Sequence, residues 1–277
     1  MARISITKCQ GTGNDFLLLD RRSGDELPYS DIAQTLCDRH LGVGADGLLV
    51  LESPSNTGAD VAMRIFNADG SQAEMCGNGV RCVARYVHDR TPTSPRRLKV
   101  ETGSGPVQTE IVSDSPFSVR VDMGVPHEIR QSGKVRAGGV NGDRVDVSMG
   151  NPHCVVFVEV DLMPVDLGAA ADAVALDGKY PDGVNVEIAR VFSGGPVAMR
   201  VYERGVGETQ ACGTGACAVA VGAIELERAQ SPVRVTMLGG DVTVEWAGEG
   251  ENAFLTGGAE LVFDTTIDVP ENVAVEL

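Results

Sequence analysis

The sequence is short of lysine, of long apolar runs and of closely paired cysteines, and each shortage excludes something. Its 277 residues include only four lysines, Lys8, Lys99, Lys134 and Lys179, none of them in a Gly/Ser-rich loop. The lysine and phosphate cup of a pyridoxal-phosphate enzyme are therefore not expected, and no cofactor is expected. No uninterrupted apolar stretch approaches the ~20 residues that span a bilayer, so a membrane partner is not expected. The N-terminal run Met1-Ala2-Arg3-Ile4-Ser5-Ile6-Thr7-Lys8 lacks the apolar centre and cleavage site of a secretory signal. A cytoplasmic protein is the expectation. Seven cysteines, at 9, 37, 76, 82, 154, 212 and 217, contain no C-x-x-C pair. They are read as reduced thiols, and no metal site is expected. Bases are scarce as well: 39 acids stand against 23 bases, a net charge of −16. Residues 1–120 carry 15 acids and 13 bases, whereas 121–277 carry 24 and 10. Such a surface disfavours phosphate, and no nucleic-acid partner is expected.

What is present is an ordinary globular composition, 43% hydrophobic and 22% charged, in a chain long enough for two domains. It also contains an internal repeat. Met63-Arg64-Ile65-Phe66 aligns with Met199-Arg200-Val201-Tyr202 at an offset of 136, and the same offset places Cys76-Gly77-Asn78-Gly79 on Cys212-Gly213-Thr214-Gly215. Near that offset Gly13-Asn14 and Gly150-Asn151 each precede an apolar strand. Five identities in seventeen positions would be weak alone, but the ungapped spacing ending in Cys-Gly-x-Gly reads as a duplication.

The predicted fold is α/β (of the α+β type), with two pseudo-symmetric homologous domains, each a mixed sheet or barrel wrapped round a central helix. Strands are predicted at 3–7, 15–20, 47–52, 61–67, 98–102, 106–112 and 117–123. The second half repeats them at 145–149, 154–159, 184–190, 198–203, 232–237, 241–246 and 253–263. A helix is predicted over 31–40, with Ser30 as N-cap and Gly42 as stop. Val80, Val83, Ala84 and Val87 follow the helical rule after Cys76, and Ala216 to Ile224 is apolar on every face, as in a helix surrounded by protein. Ser113-Asp114-Ser115-Pro116 breaks the pattern and suggests domains of 1–115, completed by 263–277, and 116–262.

Each copy sets a cysteine just before a helix. The first N–H groups of a helix are unpaired and electropositive, so a thiol there deprotonates more easily and a carboxylate is held. Two such sulfurs suit inversion at an amino-acid α-carbon, one removing a proton and the other delivering one. Cys9, Cys37, Cys82, Cys154 and Cys217 sit in apolar patterns and are read as packing.

The segments Asn67-Ala68-Asp69-Gly70-Ser71 to Met75-Cys76-Gly77-Asn78-Gly79, and Tyr202-Glu203-Arg204-Gly205 to Ala211-Cys212-Gly213-Thr214-Gly215, resemble the diaminopimelate epimerase family. So do Gly13-Asn14-Asp15-Phe16, Asp38-Arg39-His40, Gly44-Ala45-Asp46-Gly47 and Met149-Gly150-Asn151-Pro152-His153-Cys154, in order over residues 8 to 262. The resemblance implies conversion of LL-2,6-diaminopimelate to the meso isomer, with Cys76 and Cys212 as acid/base thiols. It implies that amides around Gly77-Asn78 and Gly213-Thr214 bind the reacting carboxylate. Asn14, Asn67, Asn151, Asn185 and Arg204 would recognise the distal amino-acid end, and Glu203 and His153 would lie near the reacting amino group. Gln10 departs from the family, which usually has His there. Two readings stay open beside it, a racemase of another amino acid and a thiol switch; a homodimer is also left open.

Overall fold

The structure, a computed structural model, describes residues 2–24, 26–55, 58–91, 93, 95–137, 139–176 and 178–269. The part of the predicted C-terminal segment beyond Val269 lies outside them. The chain divides into two compact units, one holding residues up to Val121 with the chain from Gly258 onward, the other Asp122–Gly257. Ser115 and Pro116 form the tip of a hairpin in the first unit, where Asp114 pairs with Phe117.

In the first unit β1 (Ala2–Gly11) turns into β2 (Asn14–Asp20). Helix α1 (Tyr29–Cys37) then crosses to β3 (Gly47–Glu52), which lies parallel to β2. β4 (Val61–Asn67) runs antiparallel to β3 and hairpins with the short β5 (Gln72–Ala73). Helix α2 (Gly77–Arg90) leads to β6 (Arg97–Thr102), parallel to β4, and then to β7 (Gly105–Asp114) and β8 (Phe117–Asp122).

The sheet is covered on both faces, which is why Phe16 to Leu19 and Leu48 to Leu51 are continuous apolar runs. Leu17, Leu19, Leu48 and Val50 pack under Ile32, Ala33 and Leu36 of α1. The alternate residues face α2, whose neighbours include β1, β2, β3, β4 and β7.

The second unit repeats this plan. After β9 (His127–Ala137) come β10 (Val140–Ser148), β11 (Pro152–Phe157), helix α3 (Leu167–Ala175) and β12 (Asn185–Val191), parallel to β11. β13 (Val197–Glu203) and β14 (Gly207–Thr209) form the next hairpin, followed by helix α4 (Gly213–Glu225). β15 (Val233–Met237) lies parallel to β13, and β16 (Gly240–Glu245) and β17 (Phe254–Gly257) complete the sheet. The chain then returns to the first unit as β18 (Glu260–Val269), antiparallel to β1, as β9 is to β10. Strand order and sense thus match element by element. In α4 all residues from Ala216 to Val221 are fully buried, as expected of a helix ringed by strands.

Several boundaries differ from expectation. Helix α1 spans 29–37 rather than 31–40: Pro28 occupies the N-cap, and Ser30 Oγ donates instead to Gly70 O at 2.9 Å. The helix stops at Asp38, whose carboxylate accepts the N–H groups of His40 and Leu41, both at 2.7 Å, before Gly42 is reached. The predicted strand 253–263 is two strands, β17 and β18. β9 and α3 were not expected, because β9 is polar along much of its length and α3 is mostly alanine.

Candidate active site

The cysteine of each copy caps its helix with its own sulfur. Cys76 is the N-cap of α2 in extended conformation, and its Sγ accepts the Gly79 N–H at 3.5 Å. Cys212 does the same for α4, accepting the Gly215 N–H at 3.4 Å. Sulfur thus replaces the oxygen of an ordinary cap and receives the electropositive end of the helix. The second glycine of each Cys-Gly-x-Gly turn lies close against a side-chain tip. A Cβ on Gly79 would stand 2.9 Å from Leu49 Cδ2, and one on Gly215 would stand 2.7 Å from Glu187 Oε1.

In the first unit the amides of Asn14 and Asn78 stand at the sulfur's side, with an ionic cluster behind Asn14. The Cys76 thiol lies 3.7 Å from Asn14 Oδ1, which also accepts from Asn78 Nδ2 at 3.2 Å. Asn14 Nδ2 donates to Asp46 Oδ2 at 2.8 Å, and Asp46 is held by Arg39 at 2.8 Å. Arg39 also bonds Asp15 at 2.6 Å, and Lys8 completes the cluster against Asp15 and Gly44 O. Burial pushes the Asp15 carboxyl up, but Arg39 and Lys8 outweigh it and hold it below the usual range. Asn67 ends β4 and donates to Ser71 Oγ at 2.9 Å. Gln10 accepts from the Gly13 N–H at 3.0 Å and donates to Glu260 at 3.1 Å, holding the turn before Asn14.

The second half-site carries its charge next to the sulfur. Cys212 is buried, 6% exposed, whereas Cys76 is half-buried. Burial, then the carboxylates of Glu203 and Glu187, push the Cys212 thiol well above its ordinary range, against opposing hydrogen bonds from Thr214 and Gly215. Glu203 is raised too, chiefly by burial, although hydrogen bonds from Thr209 and Cys212 oppose this. His153, fully buried, meets Glu187 Oε1 at Nδ1 (2.7 Å) and Asn151 Oδ1 at Nε2 (3.1 Å). Asn151 Nδ2 reaches Thr214 Oγ1 at 3.5 Å, and Thr214 Oγ1 lies 3.4 Å from Cys212 Sγ. Asn185 donates to Pro152 O and accepts the Arg204 N–H, both at 3.0 Å, which fixes the turn that presents Arg204. The Arg204 side chain lies across Gly183 (φ +81) and donates to Asp182 O at 3.1 Å.

The first unit therefore gathers Cys76, Gly77, Asn78 and Asn14, with Asn67 at the neighbouring strand end. The second gathers Cys212, Gly213, Thr214, Asn151, His153 and Glu203, with Asn185 supporting Arg204. Sequence reasoning missed Glu187, an acid in the buried run Val184-Asn185-Val186-Glu187-Ile188. It also left out the Asp15, Asp46, Arg39 and Lys8 cluster that holds Asn14.

The chain has a duplicated mixed-sheet fold with a cysteine-capped helix in each copy, and its sequence relatives make it an isomerase of the amino-acid racemase and epimerase class. The likeness to solved structures is one of fold. A phenazine biosynthesis protein of the PhzF family from Bacillus anthracis superposes with a TM-score of 0.75 at 16% identity, covering 97% of this chain and 100% of that one. A hydroxyproline epimerase from Agrobacterium vitis gives 0.69 at 17%, covering 96% and 91%. A sequence model described as diaminopimelate epimerase matches residues 6–129 and 145–262. The diaminopimelate epimerase of Pelotomaculum thermopropionicum is 43% identical, over 93% of this chain and 96% of that protein. That of Desulforudis audaxviator is 44% identical (94% and 98%), and that of Aromatoleum aromaticum 42% (96% and 99%). The chain belongs to the diaminopimelate epimerase family, whose reaction interconverts LL- and meso-2,6-diaminopimelate in lysine biosynthesis.

Proposed function

We propose that the chain carries out this interconversion with Cys76 and Cys212 as its two acid/base groups. Inversion requires a proton to leave one face of the α-carbon and another to arrive on the opposite face. One sulfur, as thiolate, takes the α-proton and becomes a thiol. The other, as thiol, gives its proton to the carbanion and becomes a thiolate, so the two sulfurs exchange protonation states at each turnover. The observation that carries the reading is the shared cap geometry: each sulfur already accepts a helix N–H, at 3.5 and 3.4 Å. Those helix ends can also receive the charge that spreads into the substrate carboxylate as the proton leaves.

The remaining residues fit an amino-acid substrate. The N–H groups of Gly77-Asn78 and Gly213-Thr214 would hold the reacting carboxylate, with Glu203 and His153 beside the reacting ammonium. Asn14, Asn67, Asn151, Asn185 and the planar fork of Arg204 would hold the distal zwitterion. The two compact units are read as two copies of one ancestral half. This chemistry asks for no cofactor and no nucleic-acid partner, and the location it fits is the cytoplasm. Among the described residues, no helix is long and apolar enough to cross a membrane.

The test is proton NMR of the reduced protein in D2O with LL-diaminopimelate. Loss of the α-proton signal together with appearance of the meso isomer is expected, and formation of the meso isomer should vanish in Cys76→Ala and in Cys212→Ala. Substantial turnover by either variant would overturn the two-thiol scheme. Exchange with histidine or proline but not with diaminopimelate would overturn the substrate.

A further inference from the structure

The duplication supplies an internal control for every residue beneath the two capped helices. Strand registers pair Phe16 with Gly47 and Leu18 with Leu49 in the first unit, and His153 with Asn185 and Val155 with Glu187 in the second. Phe16 thus corresponds to His153, and Leu49 to Glu187. In the first unit this seat holds two buried apolar side chains; in the second, a buried imidazole and a buried carboxylate. The same fold closes over both, so packing does not require the polar pair. Placing such groups in a core costs free energy unless their hydrogen bonds are made. Here they are made only in part: among the described residues, Glu187 Oε2 has no hydrogen-bond partner. A feature that one copy lacks and the other maintains at a cost belongs to the chemistry.

The bonds have a direction. Asn151 Oδ1 only accepts, so the His153 Nε2 that faces it carries a hydrogen. A proton also sits between Nδ1 and Glu187 Oε1, since two lone pairs do not approach to 2.7 Å. With its Oδ1 engaged, Asn151 points its amide N–H at Thr214 Oγ1. That oxygen is then an acceptor, and its single hydrogen is left for Cys212 Sγ, 3.4 Å away.

We propose that Glu187 is a positioning residue for this reaction. Through His153, Asn151 and Thr214 it fixes the direction of a hydrogen-bond chain that ends as an O–H donated to Cys212 Sγ. When Cys212 holds the thiolate, that donor is already aimed at it. Without the carboxylate, His153 can place its hydrogen on Nδ1 alone. The Asn151 amide then turns over, and its Oδ1 takes the Thr214 hydrogen away from the sulfur. The inference rests on the reading of Cys212 as an acid/base thiol, which Cys212→Ala tests separately: turnover by that variant would overturn the reading itself.

The tests use the full-length chain. It has four histidines, so 15N-histidine labelling gives a spectrum in which His153 is resolved by difference against His153→Gln. The wild type should show a hydrogen on Nε2 and a strongly hydrogen-bonded proton at Nδ1. Glu187→Gln should keep the hydrogen on Nδ1 and lose the one on Nε2, and lower kcat roughly tenfold to a hundredfold with KM little changed. Glu187→Asp, which keeps the carboxylate, should recover part of both. A wild-type spectrum without a hydrogen on Nε2 would overturn the proposal, as would wild-type kcat in folded Glu187→Gln. Should Glu187→Gln fail to fold, the pair His153→Phe with Glu187→Leu imports the packing of Phe16 and Leu49. That variant should fold yet turn over slowly; full turnover would reduce Glu187 to a structural role.

Discussion

Leu49 and Glu187 occupy equivalent seats, each pressed against the second glycine of a Cys-Gly-x-Gly turn. The tolerance of the two glycines should therefore differ. A Cβ at Gly79 meets one methyl of Leu49 at 2.9 Å, with its next contacts at 3.6 Å. A Cβ at Gly215 meets Glu187 Oε1 at 2.7 Å and both Cβ and Sγ of Cys212 at 3.3 Å. Gly79→Ala should cost about 1–2 kcal/mol of stability through overpacking and retain most turnover. Gly215→Ala pushes the carboxylate and the sulfur apart, and should lower kcat far more than it raises KM. Urea unfolding and steady-state kinetics on the two variants check this; equal kinetic effects would count against it.

The two sulfurs should also differ toward an alkylating agent. Cys76 is half-buried, while Cys212 is buried and held as a thiol by burial and by Glu203 and Glu187. Thiolates, not thiols, react with iodoacetamide. At pH 7 the Cys76 peptide should be modified first, and activity should fall in step with it. Peptide mass spectrometry over time reads the order directly, and faster labelling of Cys212 would contradict it.

Most of the candidate site is legible in the sequence because its signals are local. A sulfur capping a helix needs only Cys-Gly-x-Gly and the apolar run behind it, and both were visible in each copy. The asparagines and Arg204 became visible through their motifs. Glu187 was not, for a physical reason: in a strand of period two, an acid between Val186 and Ile188 reads as a solvent-facing residue. It faces inward because the sheet is covered on both faces, a property of tertiary packing that no strand pattern carries. The limits of α1 were obscured similarly, since Ser30 looks like a cap but spends its hydroxyl on Gly70, forty residues away. α3 did have a cap signal in Asp166, whose carboxylate accepts the Ala169 N–H at 3.0 Å, but its alanines show little of an apolar stripe.

Acid should weaken the cluster behind Asn14. The folded-state value of Asp15 lies below its ordinary 3.8, so the folded state binds fewer protons than the unfolded chain near that pH. The resulting stability is present above about pH 4 and is lost as pH falls through the lower, folded-state value. Asp15→Asn should be less stable than wild type at pH 7, by about 1 kcal/mol. That gap should narrow when both are unfolded in urea below pH 3. A gap that stays constant with pH would remove the ionic explanation. Because Asp15 and Asp46 share Arg39, the same variant should loosen Asn14 and raise KM.

Arg204 provides the sharpest separation of binding from chemistry. Its backbone is fixed by Asn185 and its side chain by Gly183 and Asp182, so its position does not depend on the sulfur in the same unit. A guanidinium grips a carboxylate through two parallel N–H groups, which a lysine ammonium cannot reproduce. Arg204→Lys should therefore raise KM for diaminopimelate roughly tenfold or more while kcat changes little, since the lost contact is the same in ground and transition states. Arg204→Ala should raise it further. Neither substitution should change the rate at which iodoacetamide modifies Cys76. A fall in kcat with KM unchanged would place Arg204 at the reacting carbon and overturn its assignment to the distal carboxylate.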